Sequence, residues 1–159
     1  MTQLDVRPDG GPAATNPFAV TDPVFLARER YFDRGFFDLE RDKLWKHVWQ
    51  MACRLEEIPE VGDFAEYTIC DQSVLVVRTG PDEIKGYLNA CRHRATQLAV
   101  GSGTFRGGQI VCPFHGWRWN LDGTPSAIYG AEGFAPACVA EEELHLYECR
   151  VETLSLIHI

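Results

Sequence analysis

Cys91-Arg92-His93 and, after eighteen intervening residues, Cys112-Pro113-Phe114-His115-Gly116-Trp117 decide how this chain folds and what it can hold. Each stretch offers one thiolate and one imidazole from a short loop. Two Cys and two His in mixed pairs form the ligand set of a two-iron, two-sulfide centre in which the thiolates hold one iron and the imidazoles the other. Neutral imidazoles in place of two thiolates make such a centre less negative and easier to reduce. Structural zinc is the competing reading, since it takes the same residue types. Its usual elements, however, are a Cys pair two to four residues apart and a His pair three to five apart. Here each element is mixed, and the first has a single intervening residue. A disulfide framework fits less well, because no secretory signal precedes the six Cys and the two motifs already use two of them.

The residues around the four donors suit a metal loop. Pro113 fixes one backbone angle and removes a donor. Gly116 permits a tight turn directly after His115. Trp117 and Trp119 are two apart, so both belong on one face of a strand, where an indole shields the centre or simply fills the core. Arg92 and Arg94 flank His93 and either stabilise a negative cluster or form surface ion pairs.

Working outward, residues 1–20 are rich in Pro, Gly, Ala and Thr without periodicity and read as a disordered tail. Residues 21–48 read as helical. Asp22-Pro23 starts a helix that runs to Tyr31 or Phe32 and stops before Gly35, and Asp38 caps a second with Leu44, Trp45 and Val48 on its apolar side. Strands follow. Phe64 to Ile69 and Ser73 to Arg78 pair across Cys70-Asp71-Gln72, and Ile84 to Asn89 leads into the first loop. Gln109 to Val111 leads into the second loop, and Trp117 to Leu121 pairs onward across Asp122-Gly123. Residues 124–140 look loop-rich, and Leu144 to Thr153 reads as a last strand. The expected fold is mainly β: a small antiparallel β-sandwich over residues 49–153, with the cluster loops at about 89–119 at one end.

At 159 residues the chain is one domain with ordinary hydrophobic content of 45%. A net charge of −8 argues against nucleic acid and against an anionic membrane surface. That acidity serves solubility or docking to a basic electron donor, the former being the commoner use. No stretch approaches the roughly 18 apolar residues needed to span a bilayer, so a cytoplasmic location is expected. Cys53, Cys70, Cys138 and Cys149 are then expected to be buried free thiols.

Cys91-x-His93-Arg94 with Cys112-Pro113-Phe114-His115-Gly116-Trp117 resembles the Rieske domain of the Rieske non-haem iron oxygenases, the large (alpha) subunits of aromatic-ring-hydroxylating dioxygenases. The runs Leu44 to Cys53 and Glu57 to Asp63 are similar to the segment preceding that domain. The resemblance implies a 2Fe–2S cluster on Cys91, His93, Cys112 and His115, supported by Arg94, Gly116 and Trp117. It also implies a mononuclear non-haem iron in a C-terminal catalytic domain that is not among these residues. No two-His, one-carboxylate set follows Trp119, and His145 and His47 each stand alone, so no catalytic residue is expected here.

By the same resemblance a reductase or ferredoxin, drawing on NAD(P)H, feeds the cluster, and the electron leaves through His115 towards the iron of a neighbouring subunit. The parent is then a homotrimer, with or without a small beta subunit, that hydroxylates a ring or demethylates. Many members of the family carry Gly after the Arg of the first loop, where this chain has Ala95; a methyl group is tolerated there unless the position needs a positive φ. Respiratory Rieske proteins carry an extra Cys in each loop, joined as a disulfide. Thr96 and Phe114 stand at those positions, which implies a lower potential.

A stand-alone Rieske-type ferredoxin is the alternative, weighed against by residues 22–50, which a ferredoxin does not need. The ending Leu154-Ser155-Leu156-Ile157-His158-Ile159 reads like a translated sequencing adapter, so residues 154–159 are expected to be a non-native tail on a truncated frame, and His158 is not counted as a ligand.

Overall fold

The computed structural model describes residues 28–154. The chain divides after Val48 into two compact units. In the first, a 3-10 turn at Arg28–Tyr31 precedes α1 (Arg34–Glu40), which runs into a π-helical turn at Arg41–Trp45. The expected start at Asp22-Pro23 lies outside the described residues. The expected cap is corrected: Asp33, not Asp38, caps α1 by accepting the Phe36 amide at 2.7 Å. Gly35 lies inside the helix, at a cost of about 1 kcal/mol against Ala. Asp38 faces out and pairs with Arg34 at 3.2 Å and Arg41 at 2.9 Å. Two aspartates five residues apart compete for the cap, and the one ahead of free amides takes it.

The second unit is built on β1 (Asp63–Ile69), β2 (Gln72–Gly80), β3 (Glu83–Leu88), β4 (Ser102–Thr104), β5 (Gln109–Val111), β6 (Arg118–Asn120), β7 (Pro125–Ala127) and β8 (Glu148–Cys149). One antiparallel sheet has the order β4-β1-β2-β3-β8, the other β5-β6-β7. Alternation in β2 explains how the large sheet buries both faces. Leu75 and Val77 join Phe64, Tyr87, Ile110 and Trp119 in the main core, whereas Val76 packs with Ile58 and Ala65 on the opposite side. The β1–β2 hairpin closes on Cys70-Asp71 alone, since Ile69 pairs with Gln72, and Cys70 takes a positive φ of 53°.

The expected last strand, Leu144 to Thr153, is corrected to a single turn α2 (Glu141–Leu144) and the two-residue β8. The competition is visible: the Leu144 carbonyl accepts Trp119 Nε1 at 2.8 Å, and the Leu146 amide donates to the Gly123 carbonyl at 3.0 Å. Those groups are spent before a ladder can form. The segment is thereby tied to the small sheet, and Leu88 N donates to the Tyr147 carbonyl at 2.8 Å, tying it to the large one. Cys70 and Cys138 are exposed, and Cys53 and Cys149 are partly buried, which corrects the expectation of four buried thiols. A turn position holds Cys70 at the surface, and a short 3-10 piece holds Cys138 there.

Candidate metal centre

β3 ends at Leu88 and delivers Cys91; β5 ends at Val111 and delivers Cys112. The two loops that follow share one backbone plan. In the first, Cys91 N donates to Thr96 O at 2.8 Å and Ala95 N to Cys91 O at 2.8 Å. In the second, Cys112 N donates to Trp117 O at 2.8 Å and Gly116 N to Cys112 O at 3.1 Å. The fourth residue after each Cys is left-handed: Ala95 has φ 56° and Gly116 φ 73°. Gly116 thus does what its sequence position suggested. Ala95 does the same with a methyl group present, at a strain of about 1–2 kcal/mol.

The loops bring the four donors together as two pairs. Cys91 and Cys112 are buried and neighbour one another. Burial pushes the Cys91 thiol above its ordinary value, Cys112 beside it adds to this, and the His93 and Arg94 amides that donate to its sulfur work the other way. A metal ion reverses that balance by favouring both thiolates. The imidazoles form the outer pair, with Nδ1 of His93 and Nδ1 of His115 3.1 Å apart. Two ring nitrogens about 2.0–2.1 Å from a shared tetrahedral metal would be separated by about 3.3 Å, close to what is seen. Burial, His115 and Arg94 all hold His93 below its ordinary pKa, which keeps it in the neutral form that ligates. Among the described residues no three His, Cys, Asp or Glu side chains are placed to hold one metal ion. The donors are grouped two and two.

His93 and His115 have unlike surroundings. His93 stacks on Trp117, with centroids 4.7 Å apart and planes at 15°, and Phe134 stands edge-on at 5.9 Å. Trp117 is itself only 3% exposed and donates its indole N–H to the Tyr129 carbonyl at 3.0 Å. His115 lies exposed against Phe114, which is 63% exposed. Among the described residues Arg92 makes no ion pair, which corrects that reading: its guanidinium lies 3.8 Å over the Tyr147 ring and donates through Nη2 to the Glu143 carbonyl. Arg94 is exposed beside His93.

Behind the first loop, Asn89 is 5% exposed and fully engaged. It donates to Ser73 Oγ at 2.9 Å and Ala99 O at 2.7 Å, and accepts the Leu98 and Ala99 amides at 2.9 and 3.2 Å. Glu66 accepts Ser73 Oγ at 2.6 Å, Gln97 Nε2 at 2.5 Å and Gly101 N at 2.8 Å. Those bonds hold its carboxyl below the usual range, the Ser73 hydroxyl most of all. Sequence reasoning missed Asn89, Phe134 and Tyr147. Asn89 carried a signal, as a polar residue closing an apolar strand two positions before a ligand; the other two lie in stretches without periodicity.

Residues 48–135 match the model of the Rieske [2Fe-2S] domain. The chain belongs to that family. It is 29% identical over 147 residues to the 2-aminobenzenesulfonate 2,3-dioxygenase subunit alpha of an Alcaligenes species, covering 90% of this chain and 36% of that one. It is 36% identical over 109 residues to the anthranilate 1,2-dioxygenase large subunit of Acinetobacter baylyi, covering 67% of this chain and 22% of that one. Among solved structures, a naphthalene 1,2-dioxygenase variant bound to phenanthrene superimposes with a TM-score of 0.69 at 26% identity, over 78% of this chain and 28% of that one. A quaternary ammonium Rieske monooxygenase gives 0.71 at 21% identity over 78% and 34%, a likeness of fold. The chain therefore resembles the Rieske portion of oxygenase large subunits and spans about a third or less of their length. Among the described residues no helix is long and apolar enough to cross a membrane.

Proposed function

We propose that Cys91 and Cys112 hold one iron of a 2Fe–2S cluster and His93 and His115 the other, and that the chain serves as the electron-transfer domain of a terminal oxygenase. The observation that carries this is the sorting of the donors: a buried thiol pair, and an imidazole pair with Nδ1 atoms 3.1 Å apart at the surface end. Bound there, the cluster supplies reversible one-electron transfer. The protein's own part is positional. The two left-handed turns hold each Cys and His in one loop, the His93 and Arg94 amides donate to the Cys91 sulfur, and Trp117 with Phe134 orients the His93 ring.

His115 is exposed and is the exit for the electron. It would lead to a mononuclear iron of the parent enzyme, carried in the neighbouring subunit of a trimer. A reductase or ferredoxin drawing on NAD(P)H would supply the electron. Similarity to dioxygenase alpha and large subunits supports an oxygenase parent over a free-standing carrier. Iron and acid-labile sulfide analysis of the anaerobically reconstituted chain tests the ligand assignment. Loss of both on His93→Ala or Cys112→Ser is expected, and retention of both overturns it.

A further inference from the structure

Arg92 lies between two proposed ligands, and its side chain is spent on a segment far along the chain. Nη2 donates to the Glu143 carbonyl and Cζ lies 3.8 Å over the Tyr147 ring, while Nε is buried with no acceptor among the described residues. An unpaired buried N–H is a poor device for stability alone, since it forfeits its hydration without return. The segment it grips is hydrogen-bonded to both sheets: Leu144 O accepts Trp119 Nε1 from β6, Leu146 N reaches Gly123 O, and Tyr147 O accepts Leu88 N at the end of β3. β6 is the strand that follows the second loop, and β3 the strand that precedes the first. A side chain anchored there fixes the first loop against the element that frames the second.

We infer that Arg92 is a positioning residue: its guanidinium, clamped between the Glu143 carbonyl and the Tyr147 ring, sets where the first loop presents His93 relative to His115. A planar guanidinium stacks on the ring and directs an N–H at the carbonyl at once, a fork that Lys does not reproduce. In the second loop the residues between Cys112 and His115, Pro113 and Phe114, are exposed.

The test uses the full chain with Arg92→Lys and Arg92→Met, first free of cluster. Amide hydrogen exchange is followed at Cys91 and Ala95 in the first loop, with Cys112 and Gly116 in the second as internal controls. Exchange at Cys91 and Ala95 is expected to quicken at least tenfold in both variants, with Cys112 and Gly116 within twofold of wild type. Equal acceleration of both loops, or no acceleration, overturns the inference, because a purely structural role moves the two together. If Arg92→Met does not fold, Arg92→Lys decides by the same criterion. This arm stands apart from the cluster assignment.

The second arm rests on that assignment and reads the electron spin resonance of the reduced, reconstituted chain. Altered g values in both variants, the charge-retaining Lys included, are expected. A wild-type spectrum in Arg92→Lys overturns the inference by showing that only charge matters. A wild type that takes up no iron and no sulfide overturns the cluster assignment and leaves the exchange result to decide the role of Arg92.

Discussion

The loop from Cys91 to Thr96 and the loop from Cys112 to Trp117 are two copies of one turn, and they differ in what surrounds them. Both close with the same pair of backbone hydrogen bonds and pivot on a left-handed residue four places after the Cys. The first carries its His two places after the Cys, the second three. The first is packed in: His93 has an aromatic wall, Asn89 knots its base, and Arg92 ties it to the far end of the chain. The second projects, with Pro113, Phe114 and His115 exposed. One backbone device thus serves two ends. The packed loop holds one imidazole against an aromatic wall, and the projecting loop presents the other outward.

The sharpest way to break this contrast is at the aromatic residues. Trp117→Ala removes both core packing and the wall behind His93 and is expected to cost about 3–5 kcal/mol in denaturant unfolding. Phe114→Ala, on the outward face, is expected to fall within about 0.5 kcal/mol of wild type. Asn89→Ala comes next. It leaves the Leu98 and Ala99 amides without their acceptor at a buried site, and about 2–3 kcal/mol is expected to be lost.

The pivots give smaller and opposite effects. Gly116→Ala imposes left-handed strain of about 1–2 kcal/mol. Ala95→Gly relieves that strain, less about 0.5–1 kcal/mol for the freer unfolded chain, so a net gain of about 0.5 kcal/mol is expected. Thermal unfolding of the two variants checks the sign of each. If both destabilise, the two turns are not equivalent.

Smallest is the acid response of Glu66, which is partly exposed and therefore screened. Its folded pKa lies below the unfolded value of about 4.3. Its contribution is then whole above that pH and fades as pH falls through the folded value. Because Glu66 holds Gln97 and Gly101 behind the first loop, Cys91 and Ala95 amides are expected to lose protection in acid before Cys112 and Gly116 do, and Glu66→Gln is expected to abolish the difference.

How much of this was legible in the sequence follows from where the information is local. The two Cys–His stretches that come together and the strands β1 to β3 announced themselves, because motif spacing and period-two alternation are properties of adjacent residues. β4 did not, since Ser102-Gly103-Thr104 has no alternation and Gly103 is there to lie against the Phe64 ring. The helix cap went to Asp33 rather than Asp38 through a contest between neighbours that composition does not settle. The failed last strand and the anchoring of Arg92 both depend on residues more than twenty positions away. Ala95 shows the middle case. Its identity was plain, but the need for a positive φ became visible only with the turn.

The central claim is that these two turns close on a two-iron core. The direct measurement is iron and acid-labile sulfide per chain, taken with the electron spin resonance of the reduced protein. Two iron and two sulfide with a signal on reduction, all lost in His115→Ala, is the expected result. A single zinc with no sulfide and no signal would contradict it.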